Sequence, residues 1–301
     1  MTADNVQFLN KLILDRKISE KDVQKVLKRF RDKNITDVQY YLELAFSAGF
    51  LRNSAKNTLE QHSHYLHWAR IRAISNLLPS ADTIIDLGGA NGSLYDMGYP
   101  HKFKNITIVD LPPDDRNYMY KDIEIKKTKT PNGEISVHFG DMSDLSFLKD
   151  DSVDMVWSGE SIEHIDIEAG HRTIKEAMRV LKPGGYFCLD TPNRTVTILH
   201  TAWRGGDFIH PEHKVEYYPE EIQAMLTEHG FQIKDSWGIC EMKKTVEKND
   251  FDYTELIYGK QLVNDPTNSY MQFYICQKPI IDNSPSFTTR LKSKVRRTIR
   301  L

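Results

Sequence analysis

From residue 83 onward the chain alternates short β-rich runs with helical stretches, and that rhythm limits the fold more than any single residue does. "DTIIDL", "NITIVDL", "EISVHFG", "SVDMVWS" and "GGYFCLDTP" are short, apolar and rich in β-formers. Helical patterns lie between some of them, clearest in "EAGHRTIKEAMRVLK", where Ile174, Met178 and Leu181 fall in phase. Parallel neighbours need crossover connections, so this alternation predicts a mainly parallel sheet covered on both faces. Near the end, "FQIKDSWGIC" and "NSYMQFYICQKP" predict two further strands, an antiparallel pair at the sheet edge.

Upstream, residues 5 to about 78 read as helical. Ser19 and Asp22 open "KDVQKVLKRF", Thr36 precedes a segment closed by Gly49, and "HSHYLHWARIRAISNLL" stops at Pro79. The expected organisation is a helical extension over 1–79, a core over 80–283 with an acceptor-site insertion near 194–219, and a tail over 284–301. An apolar fraction of 40% supports a sizeable core. Cys188, Cys240 and Cys276 sit in strand-like runs without CxxC spacing, which predicts buried thiols in a reducing compartment. The opening "MTADNVQFLNKLILDRK" lacks the apolar core of a signal peptide, and no run reaches the roughly 20 apolar residues of a membrane span. A cytoplasmic protein is expected.

The turn after the first run, "DLGGANG", carries little side chain at Gly88, Gly89, Ala90 and Gly92, so a ligand can lie directly against the backbone. It lacks the lysine of a P-loop, and it matches G-x-G-x-x-G poorly because Ala90 and Ser93 occupy two glycine positions. Asp86-Leu87-Gly88-Gly89-Ala90-Asn91-Gly92 instead resembles the first motif of class I S-adenosylmethionine-dependent methyltransferases, with Ala90 in place of the central glycine. Later segments extend the resemblance in order: "ITIVDLP" with Asp110 and Leu111, "FGDMSDL" with Asp141 and Met142, "VDMVWSGESIEHI" with Ser158, and "RVLKPGGYFCLDTPN". It covers roughly residues 80–195. It implies a Rossmann-like α/β fold, S-adenosylmethionine as cofactor and S-adenosylhomocysteine as product. By this resemblance Asp110 takes the ribose hydroxyls, Asp141 and Met142 bracket the adenine, and the glycine turn passes the methionine end.

Directly after the fourth run stand Glu160, Ser161, Ile162, Glu163 and His164. In open α/β sheets ligands bind beyond the carboxyl ends of the strands, which places this segment at the site. Three readings stand. His164 is a general base with an ordinary pKa near 6.5, or Glu160, Glu163 and His164 bind a divalent metal, or Glu163 and His164 only start the next helix. The E-x-x-E-H spelling resembles quinol-type O-methyltransferases, where such residues are implicated in metal binding. "GGDFIHPEHKVEYYPEEI" offers His210 and His213 before a helix starting at Pro219. It resembles a stretch lying over the acceptor site in sugar and lipid methyltransferases, which makes His213 a second candidate base. Tyr65, Trp68 or Arg70 contact cofactor or acceptor, or they belong to a plain packing helix.

Net charge is −2, yet 284–301 holds six of the 40 basic residues and none of the 42 acidic ones. Leu291, Val295 and Ile299 recur every four positions there, the pattern of a basic amphipathic helix on an anionic membrane surface. A solvated tail and an RNA or protein partner are the alternatives. The acidity of the rest disfavours nucleic acid as substrate. No D/N-P-P-Y/F motif of N-methylation is present, since "DTPN" at 190–193 differs from it. Expected is O-methylation of a sugar or glycan, lipid-linked and made at the inner face of the membrane. A quinol or other small hydroxylated metabolite is the alternative acceptor, and a non-catalytic cofactor-binding scaffold is the alternative class.

Overall fold

The computed structural model describes residues 70, 73–89, 93–96, 98–115, 128–252, 255–256, 260 and 262–280. The segments upstream of Arg70, the centre of the glycine turn (Ala90, Asn91, Gly92) and the basic tail lie outside the described residues.

Nine strands form one sheet: β1 Thr83–Leu87, β2 Asn105–Asp110, β3 Thr128–Lys129, β4 Glu134–Phe139, β5 Val153–Gly159, β6 Leu181–Pro192, β7 Gln232–Glu241, β8 Leu262–Val263 and β9 Ser269–Gln277. Their order is β3-β4-β2-β1-β5-β6-β9-β7-β8. The pairs β1–β2, β2–β4, β1–β5 and β5–β6 are parallel. β9 runs antiparallel to both β6 and β7. The late antiparallel pair is therefore present on that side of the sheet. β9 is inserted between β6 and β7, and the two-residue strand β8 pairs with Gly238 and Ile239 on the outer side of β7. At the other side β3 adds an antiparallel edge of two exposed residues that the sequence does not announce.

The helices are α1 Ser93–Asp96, α2 Ile167–Val180, α3 Arg194–Arg204, α4 Pro219–Glu228 and α5 Lys243–Lys248. Asp166 caps α2 by accepting from the Ala169 N–H at 2.7 Å. The helix ends at Val180, so Leu181, in phase by sequence, is instead the first residue of β6. Pro219 opens α4, with Glu221 reaching back to the Tyr218 N–H at 2.9 Å.

Alternation along the strands builds two cores. Ile84, Ile106, Ile108, Met155, Trp157 and Phe273 fill one face. Ile85, Leu87, Val109, Val156, Leu189 and Tyr274 fill the other. Burial on both faces explains why the central strands read as continuous apolar runs rather than as alternating ones. The three cysteines are free and buried, as expected. Among the described residues no helix is long and apolar enough to cross a membrane.

Candidate active site at the strand-order switch

Strand order reverses between β1 and β5: the chain goes from β1 outward to β2 and β4, then returns to β5 on the other side. Loops leaving β1 and β5 part in opposite directions there, which opens the crevice where open α/β sheets bind ligands. The Gly88–Gly89 turn and the Glu160–His164 segment both leave the sheet at this point.

Gly88 has φ +65°, and a Cβ on it would lie 2.7 Å from Ser161 Cβ. A Cβ on Gly89 would lie 2.5 Å from the Asp86 carboxyl carbon. The protein's own packing thus takes up the space freed at these two glycines, bringing the β5 turn and the Asp86 carboxylate against the β1 turn. The carboxylate accepts from the Leu94 N–H of α1, while its Oδ2 is buried without a hydrogen-bond partner among the described residues. Burial, then the charge of Asp110, push its pKa up to about 8 against the Leu94 bond. Asp110 ends β2, and its Oδ1 accepts from the Leu111 N–H at 2.7 Å, leaving the Leu111 side chain 42% exposed.

Asp141 closes a turn by accepting from the Ser143 N–H at 2.8 Å, and Met142 is packed with Val109 and Leu145 in the core. The Ser158 and Ser161 hydroxyls hydrogen-bond at 2.7 Å inside the β5 turn. Glu160 takes the left-handed conformation at φ 51°, with its N–H on the Asp190 backbone carbonyl and Oδ1. A non-glycine residue in that region is a strained position that the surroundings must hold.

Beneath the turn lies a buried charged cluster. Arg70 pairs with Asp190 Oδ1, so this residue of the leading helix points into the protein. Glu163 is fully buried and accepts from Thr191 Oγ1 at 2.9 Å. Burial raises its pKa to about 7, against the lowering effect of His213. Burial, then the neighbouring Glu163 charge, likewise raise Glu160 well above the usual carboxylate range.

The histidines converge on the far side of the same turn. The His164 and His213 rings meet edge to face at 4.8 Å between centroids, and His210 lies 5.7 Å from His164 and 5.4 Å from His213. Burial, and then the nearby His213 and His210, hold His164 down to about 3, far below the expected 6.5. His213 Nδ1 donates to Glu216 Oε1 at 2.8 Å. Glu216 also accepts from Thr197, from Arg194 and from the Ile209 N–H. Burial alone would raise Glu216, but the bonds from His213, Thr197 and the Ile209 N–H, that of His213 first, hold it below the ordinary carboxylate value. Sequence reasoning singled out neither Glu216 nor the Arg70–Asp190 pair. The H-x-x-E spacing of His213 and Glu216 was the available signal.

The side chains proposed together as metal ligands divide in space. Among the described residues the converging ligand atoms are those of His164, His210 and His213, without Glu160 or Glu163.

The family model described as "Methyltransferase domain" matches residues 85–189. That span begins in β1 and ends in β6, and it contains the glycine turn, Asp110 and the β5 turn. These residues form a methyltransferase domain. A chain of Mycolicibacterium smegmatis designated a probable S-adenosylmethionine-dependent methyltransferase is 31% identical over 121 residues, 40% of this chain and 44% of that relative. The chain thus spans less than half of that relative's length. The ubiquinone biosynthesis O-methyltransferase of Xanthomonas axonopodis pv. citri is 25% identical over 184 residues, 58% of this chain and 74% of the relative. Among solved structures, the Haloferax volcanii complex of the Trm112 methyltransferase activator with a chain designated a methyltransferase aligns at TM-score 0.50 and 19% identity, covering 75% of this chain and 96% of the matched one. That likeness speaks for the fold.

S-adenosylmethionine is the cofactor this domain implies, and the described residues of the methyltransferase domain fit it. Among the described residues the buried Asp86 Oδ2 lacks a hydrogen-bond partner beside the glycine turn, and Asp110 ends the adjacent strand next to the exposed Leu111.

Proposed function

We propose that the protein transfers a methyl group from S-adenosylmethionine to a hydroxyl oxygen of an acceptor held at the switch in strand order. One observation carries the reading: the glycine turn of β1, the Ser161 turn of β5 and His164 of the three-histidine cluster come together at the carboxyl ends of β1 and β5. The contacts are Gly88 against Ser161 and the His164 N–H on the Ser161 carbonyl at 3.1 Å. Bound there, S-adenosylmethionine supplies a methyl group already activated on a sulfonium. The chain's own tasks are to hold donor and acceptor in line, exclude water and take up the hydroxyl proton. In this reading Asp110 would hold the ribose hydroxyls and Asp86 the cationic methionine end. The histidine cluster would then take up the acceptor's proton, and the 205–218 loop would cover the acceptor.

A sugar or lipid-linked glycan is the proposed acceptor, supported by the basic amphipathic segment 284–301, which would bring the enzyme to an anionic membrane surface. A quinol-type phenol is the second reading, favoured by the ubiquinone-biosynthesis relative. Incubation with methyl-labelled S-adenosylmethionine and the two acceptor classes decides between them. Label in the glycan-lipid fraction supports the first reading, and label in the phenol supports the second. Label in neither class, with S-adenosylhomocysteine still bound, leaves the non-catalytic scaffold.

A further inference from the structure

We propose that His164, His210 and His213 form a binding site for one divalent transition-metal ion of the zinc and cobalt class. Each residue offers one ring nitrogen, and the three atoms lie within 4.8 Å of one another. A tetrahedral ion with metal–nitrogen bonds of about 2.0–2.1 Å sets its ligand nitrogens about 3.4 Å apart. The cluster therefore needs to contract by little more than an ångström, within the reach of side-chain rotation on the 205–218 loop.

Two of the rings are already oriented from behind. His213 donates from Nδ1 to Glu216, which fixes the tautomer that presents the Nε2 lone pair. Glu216 is held in turn by Thr197, Arg194 and the Ile209 N–H, so the support is rigid. The Glu212 backbone carbonyl accepts from the His164 ring, the other common way of aiming a histidine ligand. On His210 the Glu212 N–H donates to Nδ1 at 3.3 Å, a long bond.

The donor set names the ion class. Three imidazoles suit zinc, cobalt, nickel or copper, whereas magnesium and calcium take oxygen ligands. Three protein ligands with a fourth position open is the arrangement of catalytic rather than structural sites. The ion would tie the 205–218 loop to the β5 turn, and its open position would take the acceptor's hydroxyl oxygen. That last role rests on the proposed methyltransferase reading; ion binding itself does not.

Untagged protein stripped of metal and titrated with Co²⁺ tests the site. One equivalent should bind and produce the visible bands of tetrahedral cobalt, and His213→Ala should abolish them. His210→Cys should keep one equivalent and add thiolate-to-cobalt charge-transfer bands in the near ultraviolet. Unchanged S-adenosylhomocysteine affinity in both variants shows that they fold. No stoichiometric cobalt site in the wild type, unaltered bands in His213→Ala, or no thiolate band in His210→Cys would each overturn the proposal. A cobalt site in a protein that binds no S-adenosylhomocysteine would support the proposal and refute the methyltransferase reading.

Discussion

Gly88 shows how a residue legible in sequence takes on a different meaning in the fold. The motif points to bare backbone for a ligand, yet a left-handed φ and the approach of Ser161 already demand glycine there. Gly88→Ala is expected to cost about 1–3 kcal/mol of stability through backbone strain and the displaced β5 turn. Chemical denaturation would check this, with weaker S-adenosylhomocysteine binding measured alongside. Asp86 and Asp110 were readable because strand ends and motif spacing are local. Glu216 was not, because its role depends on a loop folding back so that Thr197, Arg194, Ile209 and His213 all reach one carboxylate. The low pKa of His164 was equally hidden, since burial rather than residue type sets it.

Among the elements, the strands β1, β2, β5 and β6 were visible as apolar runs because both of their faces are covered. The insertion of β9 between β6 and β7 was not visible, since strand order is a long-range property that periodicity does not encode. The two-residue strands β3 and β8 are too short to leave any pattern. Loop 205–218 is the element on which the site depends, and Glu216 is its anchor to α3. Glu216→Ala would leave Arg194, Thr197 and His213 facing an empty carboxylate position and should destabilise the fold by about 2–4 kcal/mol. Glu216→Gln, which keeps the shape and an accepting oxygen, should lose clearly less. Urea unfolding of the two variants separates shape from charge.

The whole molecule stores several buried carboxyls with raised pKa values, and this gives its stability a direction in pH. Asp86 moves from the ordinary 3.8 to about 8, and Glu163 from 4.5 to about 7. Their protonated forms are favoured in the folded, ligand-free protein. The stability they contribute is full below the ordinary values and is lost as pH rises through the folded ones. Their contribution declines between about pH 4 and pH 8, so above about pH 6.5, where His164 is neutral in both states, the ligand-free Tm should fall up to about pH 8, and Asp86→Asn should flatten part of that slope. A slope of the opposite sign would show that these carboxyls are already ionised. The most direct test of the central claim, a cofactor site at the carboxyl ends of β1 and β2, is calorimetric titration with S-adenosylhomocysteine of the wild type and of Asp110→Ala. The account predicts binding by the wild type and a loss of about 100-fold in the variant, the worth of two charge-assisted hydrogen bonds. Equal affinity in both proteins, or no binding by the wild type, would contradict it.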